Sequence, residues 1–319
     1  ATSHGPQLSI PGDQWSALIE KDQKDRRMDY QALLAKAPAG IDKEITLDKM
    51  VSRYEACQRD LDTLSEVLLE ARPDVMVVLG DDQHEQFGDD NMPIFALFNG
   101  EEMPVVRRGS RAPREADNLG FGTMAWNQLR VERPEPDKAY PGRPSLANHL
   151  ITTLCDAGFD IARSNKLREG VGLGHAFTMP YTRLMNSQPI PMVPVMINTF
   201  FPPNQPTPKR CYALGQALRE AIEDWDSNQR VVVMASGGLS HVIIDEEIDQ
   251  MTLDGLRNKD ADALCSLPVD RLNLGTSEIR NWIGLAGCVE DMDMTLIDYQ
   301  PCYRSPAATG CAMGFAYWN

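Results

Sequence analysis

Chemistry in this chain is best sought among its five histidines, because imidazole ordinarily titrates near neutral pH and also ligates metals. They stand at positions 4, 84, 149, 175 and 241. His4 follows Ala1-Thr2-Ser3, which reads as the end of a strand whose beginning has been trimmed. His84 lies just beyond the apolar run Val75-Met76-Val77-Val78-Leu79-Gly80, and His175 ends the glycine-laden Gly170-Val171-Gly172-Leu173-Gly174. His241 comes after Val231-Val232-Val233-Met234 and the small-residue turn Ala235-Ser236-Gly237-Gly238. A buried strand running into glycines presents a side chain at the rim of a sheet, where backbone must approach something closely. One histidine behind a strand is usually a satisfied core group. Four in such places point to a shared site, since open α/β sheets gather their ligands there. His149 falls in a helical stretch and reads as structural or surface.

The physical reading of these groups is a metal centre. Two neutral imidazoles and one carboxylate on one face bind Fe(II), zinc or manganese and leave positions for substrate and dioxygen. Asp81, Asp82, Glu85, Glu246 and Glu247 all lie near a histidine, and spacing does not choose among them. Zinc-dependent hydrolysis fits the same donors and stands as the alternative. Gly238-Leu239-Ser240-His241 has part of a nucleophile elbow, but Val242 replaces its second glycine, which weakens a serine hydrolase. No GxGxxG opening a helix and no phosphate-binding P-loop pattern occur, so nucleotide binding lacks support.

The elements that must position these groups alternate. The longest helix signal carries Leu47, Met50, Val51, Tyr54, Leu61, Leu64, Val67 and Leu68 at helical spacing until Arg72-Pro73, and reads as a helix laid on a sheet. A shorter helix is expected over about 14–28. Residues 74–80 read as a strand buried on both faces, with a further strand at 94–98. Helix 145–157 stops at Gly158 before strand 159–163. Pro191 and Pro194 make 190–200 an edge-like or bulged strand. Helices at 210–225, within 243–265 and at 277–286, a strand at 294–299 and a final apolar stretch at 314–318 complete the pattern. It predicts one layered α/β/α domain over 1–319 with a central mostly parallel or mixed sheet. Residues 104–144 depart from it, being rich in Arg, Pro, Gly and Glu, and read as an irregular excursion, lid or oligomer contact.

Composition narrows the partners. Formal net charge is −15, from 46 acidic and 31 basic residues, which argues against nucleic acid and anionic membrane surfaces. No apolar run is long enough to span a membrane. Seven cysteines without a CxxC pair read as free thiols of a reducing cytoplasm.

Several motifs, in order, resemble one family. They are Thr2-Ser3-His4, Val77-Val78-Leu79-Gly80-Asp81-Asp82-Gln83-His84, Gly174-His175, Lys209-Arg210-Cys211-Tyr212-Ala213-Leu214-Gly215, Ser236-Gly237-Gly238-Leu239-Ser240-His241 and Gly275-Thr276-Ser277-Glu278. Together they resemble the class III extradiol ring-cleavage dioxygenases, the superfamily of the protocatechuate 4,5-dioxygenase large subunit. The resemblance implies that His4, His84 and Glu278 hold Fe(II), that His241 is the acid–base histidine, and that His175 contacts substrate hydroxyl or oxygen. It places Arg304 and Thr309 against a ring carboxylate. It implies dioxygen and a catecholic aromatic acid as substrates, and a homodimer. No fused counterpart of the small helical partner subunit known in the family is expected. The Asp81-Asp82-Gln83-His84-Glu85 form is similar to enzymes acting on lignin-derived 3-O-methylgallate.

Overall fold

The computed structural model describes residues 30–105, 138–185 and 188–319. His4, the helix expected over about 14–28 and most of the 104–144 excursion lie outside the described residues. In chain order the first elements are α1 (Tyr30–Lys36), α2 (Ile41–Glu44), α3 (Leu47–Ala71), β1 (Val75–Asp81), β2 (Phe95–Phe98), β3 (Glu102–Val105) and β4 (Lys138–Pro141). Next come α4 (Pro144–Asp156), β5 (Ile161–Ser164), α5 (His175–Arg183), β6 (Met192–Ile197), α6 (Pro208–Glu223), β7 (Val231–Ser236) and β8 (His241–Ile243). The chain closes with α7 (Glu246–Arg257), α8 (Ala261–Cys265), α9 (Ile279–Cys288), β9 (Met294–Tyr303) and β10 (Thr309–Trp318). No helix among the described residues is long and apolar enough to cross a membrane.

The central sheet runs β5-β2-β6-β1-β7. β1 pairs in parallel with β6 and β7, β2 in parallel with β5, and β2 against β6 in antiparallel register. The sheet is therefore mixed, with helices on both faces, as the alternation of elements predicts. Side chains alternate across a strand, so Val75, Val77 and Leu79 of β1 join Leu146 and Leu150 of α4 and Leu214 and Leu218 of α6. Met76 and Val78 join Leu68 of α3 and Phe177 and Tyr181 of α5 on the other face. A strand packed this way has no polar face, which is why its sequence is one continuous apolar run. A second sheet, β8-β10-β9, packs with α7 and α9 around Leu239, Leu253, Ile279 and Trp282.

Two expectations change. The prolines of 190–200 suggested an edge, yet β6 lies inside the sheet between β2 and β1, with all six residues buried. Pro194 stands opposite Val78 and costs at most one ladder donor. A net hydrogen bond is worth about 0.5–1.5 kcal/mol and a fully buried valine or isoleucine roughly 1.5–3 kcal/mol. Burial of Val193, Val195 and Ile197 therefore outweighs the proline. The second change concerns α3, where Leu47, Val51 and Tyr54 face outward and Arg53, Cys57 and Asp60 are buried. Arg53 donates to Glu44 and lies over the Tyr303 ring, so the first half of the helix packs polar groups against the second sheet.

The 104–144 region leaves and returns through an antiparallel hairpin, β3 with β4, in which Met103 faces Tyr140. Helices α6 and α9 touch through backbone. A Cβ on Gly215 would stand 2.0 Å from Gly284 O and 2.9 Å from Gly287 Cα. Gly215→Ala is expected to lower stability by about 1–3 kcal/mol, read as a drop in the urea midpoint. An unchanged midpoint would contradict the close contact.

Candidate active site

The site is built at the carboxyl rim of the parallel strands. β1 ends at Asp81, and the bend that follows, with His84 at φ 60°, carries Gln83 and Glu85. β7 runs through Gly237-Gly238 to His241 at the start of β8. Helix α5 begins at His175, and a 3-10 turn over Leu274–Glu278 brings in Glu278. Asp81, His175 and Glu278 each offer a ligand atom within 4.8 Å of the others, and His241 joins them through Glu278.

His241 and Glu278 form the tightest couple. Nε2 of His241 lies 3.0 Å from Glu278 Oε1, and Nδ1 lies 2.8 Å from the Leu239 carbonyl. A carbonyl cannot donate, so Nδ1 carries a proton and the ring direction is set. Oε1 of Glu278 also accepts from Gln83 Nε2 at 3.0 Å, and Oε2 from Gly238 N at 2.7 Å. The imidazole sits flat against backbone, since a Cβ on Gly275 would stand 2.0 Å from His241 Cδ2. Only glycine fits there. Val242, the next residue, has φ 69°, a left-handed conformation that a β-branched residue holds at a cost of roughly 1–3 kcal/mol.

His175 is oriented from behind. Its backbone N donates to both Glu85 oxygens at 2.9 and 3.1 Å, and Nδ1 meets Glu85 Oε2 at 3.0 Å. Glu85 thus serves the first turn of α5 and fixes the ring at once. Asp82 points away and accepts from Gln86 N and Phe87 N, closing the turn that carries His84. His84 itself has φ 60°, stacks on Phe201 with ring centroids 3.7 Å apart, and holds Nε2 3.4 Å from Asp89. It is not one of the three groups within the 4.8 Å cluster.

Electrostatics follow from burial and the crowding of carboxylates. Burial, then the neighbouring Glu278 charge, pushes Asp81 up to about 7. Burial would lower His241, but the Glu278 charge and hydrogen bond outweigh it and raise the imidazole to about 8. Burial likewise opposes His175, and the Glu85, Asp81 and Glu278 charges raise it to about 10. Glu278 is held below its ordinary value: burial would raise it, and His241, His175 and the Gly238 N–H prevail.

In the metal-free protein the raised His241 contributes stability that is fully present below its ordinary value of 6.5 and lost as pH rises through about 8. Histidine NMR is expected to show this titration, and Glu278→Gln to move it down. No movement would contradict the couple.

The donor set fits a cation. Among the described residues, Asp81 Oδ1 and Gln83 Oε1 are buried without a hydrogen-bond partner. Two carboxylates share this pocket with imidazole nitrogen, an arrangement that a divalent ion satisfies.

The remaining expected groups are divided. Arg304, half-buried in the β9–β10 turn, has its guanidinium lowered by burial and lies near Cys311, whose thiol also feels the Glu278 charge. Thr309 is fully buried, with its hydroxyl 2.7 Å from that of Ser305. His149 bonds the Ala221 carbonyl at 2.8 Å, a structural contact between α4 and α6. Ser240 is fully buried and donates to Asp249, so it cannot serve as an exposed nucleophile. Spacing alone did not choose Asp81 and Glu85 or identify Gln83; their one signal was a place directly after β1, and it is the bend through His84, at φ 60°, that positions Gln83 and Glu85.

A layered α/β scaffold with a buried acid–histidine centre at its rim defines the class. Residues 46–310 match the family model described as the catalytic LigB subunit of aromatic ring-opening dioxygenase, and the chain belongs to that family. The resemblance to class III extradiol enzymes is thereby borne out. Gallate dioxygenase of Pseudomonas putida is 33% identical over 185 residues, covering 54% of this chain and 52% of that protein. A 2,3-dihydroxyphenylpropionate/2,3-dihydroxicinnamic acid 1,2-dioxygenase of Photorhabdus laumondii is 30% identical over 190 residues, covering 59% and 48%. Its namesake from Comamonas testosteroni is 25% identical over 216 residues, covering 67% and 54%. The chain spans about half the length of these relatives. None of these comparisons supports a zinc hydrolase.

Proposed function

We propose that the protein is an Fe(II)-dependent extradiol dioxygenase that opens the ring of a carboxylated catechol. The observation that carries this reading is the 3.0 Å couple between His241 and Glu278, an acid–base imidazole against a metal-competent carboxylate at a buried rim. The relatives' names support the substrate class, since gallate and 2,3-dihydroxyphenylpropionate are aromatic acids with adjacent hydroxyls. Among 3-O-methylgallate, gallate and protocatechuate, the Asp81-to-Glu85 segment favours 3-O-methylgallate.

Glu278 would hold the iron together with His4 and His84, as the family resemblance implies. When bound, Fe(II) supplies a Lewis acid and an electron path between an electron-rich ring and dioxygen. The chain's own groups handle protons and orientation. His241 takes a phenolic proton at Nε2 and later returns one, while Leu239 keeps Nδ1 in place. His175, fixed by Glu85, faces substrate hydroxyl or oxygen. Arg304 offers a cation for the ring carboxylate; Thr309, whose hydroxyl is bonded to Ser305, contributes less.

A second ligand set is favoured by the cluster of Asp81, His175 and Glu278 within 4.8 Å. Iron content separates the two: His84→Ala loses iron under the first, and His175→Ala keeps it. The seven free cysteines support a reducing cytoplasm. The family resemblance supports a homodimer. The test of function is anaerobic Fe(II) loading followed by protocatechuate, gallate, 3-O-methylgallate and a biphenyl catechol. Ring-cleavage absorbance with one of the carboxylated compounds is expected; none, with zinc in the protein as purified, would overturn the reading.

A further inference from the structure

The peptide unit joining Leu239 to Ser240 is gripped at both ends. Its carbonyl accepts from His241 Nδ1 at 2.8 Å, and its N–H donates to Asp249 Oδ1 at 2.7 Å. A peptide is planar and rigid, so fixing its N–H fixes the direction of its carbonyl. Asp249 is fully buried on the first turns of α7. Its Oδ2 accepts from Ser240 Oγ at 2.6 Å and from Tyr299 OH at 2.7 Å. Ser240 Oγ in turn accepts from Asp245 N at 2.8 Å, which locks the serine between the start of α7 and the turn before β8. Four groups thus converge on one carboxylate and one serine immediately before His241.

We propose that Asp249 is a positioning residue for His241, acting through the Leu239–Ser240 peptide as an aspartate acts directly in an acid–histidine dyad. The inference rests on the proposed acid–base role of His241. A carboxylate on the peptide N–H polarises the amide and makes its carbonyl a stronger acceptor. That holds the imidazole with Nδ1 protonated and Nε2 turned to Glu278. Such a relay does two things that a packing contact does not. It selects one tautomer, and it fixes the ring next to Val242, whose φ of 69° leaves the corner no relaxed alternative.

The variants rank by what they leave. Asp249→Ala removes the acceptor from the peptide N–H. Asp249→Asn keeps an oxygen there and loses the charge. Ser240→Ala keeps the N–H contact and loses only the hydroxyl brace. On the catechol that the wild type opens best, kcat is expected to fall about 10²-fold in Asp249→Ala, since small misplacements of a catalytic group cost this much. The fall is smaller in Asp249→Asn and smallest in Ser240→Ala, with KM and iron content close to wild type.

The second readout needs no turnover. ¹⁵N-histidine spectra of the metal-free full chain, recorded above pH 8 where the ring is neutral and with His241 assigned by its loss in His241→Gln, are expected to show a single Nδ1–H tautomer. Asp249→Ala and Asp249→Asn are expected to mix it. A wild-type tautomer in both Asp249 variants would overturn the proposal, whatever the rates. So would kcat and KM falling together with the thermal midpoint while the tautomer persists. A wild type that opens no catechol, with tautomer mixing still seen in the variants, would sink the dioxygenase reading and leave the relay standing.

Discussion

His241→Ala is expected to retain iron and lose ring opening, with kcat lower by about 10²- to 10⁴-fold, the range for removal of a positioned acid–base group. The geometry separates its role from that of the metal ligands. Nδ1 is occupied by the Leu239 carbonyl, and Nε2 faces Glu278 Oε1 at 3.0 Å, so the ring is held by the protein through one nitrogen and reaches the centre with the other. Removing the ring leaves Glu278 two other donors, Gln83 Nε2 and Gly238 N. The carboxylate therefore stays oriented and the metal stays bound. Iron measured by a chelator assay on the loaded protein, beside steady-state turnover, checks both halves. Turnover near wild type would remove His241 from proton handling.

Glu278→Ala is expected to lose iron and activity together. This is the larger change, because Glu278 belongs both to the ligand set implied by the family and to the 4.8 Å cluster seen in the fold. Its substitution also leaves Asp81 as the carboxylate between His175 and Gln83, with His241 deprived of its partner. Glu278→Gln makes a closer comparison, since the amide fills the same space but is a far poorer ligand for a divalent ion. Both variants are expected to fold, because the 3-10 turn that carries Glu278 is anchored by Arg280, which donates to the Leu272, Pro206 and Thr199 carbonyls. Undiminished iron in either variant, measured after desalting, would show that the centre lies elsewhere.

The sequence made much of this legible, for reasons that differ by element. β1 was readable because both of its faces are covered, which forces a continuous apolar run between Pro73 and Gly80. His175 and His241 were readable because each lies behind glycines that the structure uses for close approach. A Cβ on Gly174 would stand 2.5 Å from Glu85 Oε2, and one on Gly238 2.9 Å from His241 Nδ1. Other features depended on partners distant in the chain. Gln83 reaches Glu278 across 195 residues, and Glu85 reaches His175 across 90, so no local spacing announces either contact. The interior place of β6 was hidden by Pro194, whose local penalty is overruled by tertiary burial. The outward turn of Leu47, Val51 and Tyr54 was hidden for the converse reason. Periodicity locates an apolar stripe, but Arg53, Cys57 and Asp60 won the inner face through contacts with the second sheet.

The acidic composition also reads differently against the site. Much of the −15 charge is solvated surface, but Asp81, Asp82, Glu85 and Glu278 are buried within one rim. Buried carboxylates this close are costly unless a cation or proton compensates them. Backbone N–H groups compensate Asp82 and His175 compensates Glu85, and a divalent ion would compensate Asp81 and Glu278.

The most direct test of the central claim is the fate of labelled dioxygen. The iron-loaded protein would be given the preferred catecholic acid under ¹⁸O₂, and the ring-opened product analysed by mass spectrometry. Uptake matched to substrate consumed is expected, with both labelled atoms in the product, allowing for solvent exchange at any aldehyde. A product carrying only solvent oxygen, formed without dioxygen uptake, would contradict it and assign the site to hydrolysis.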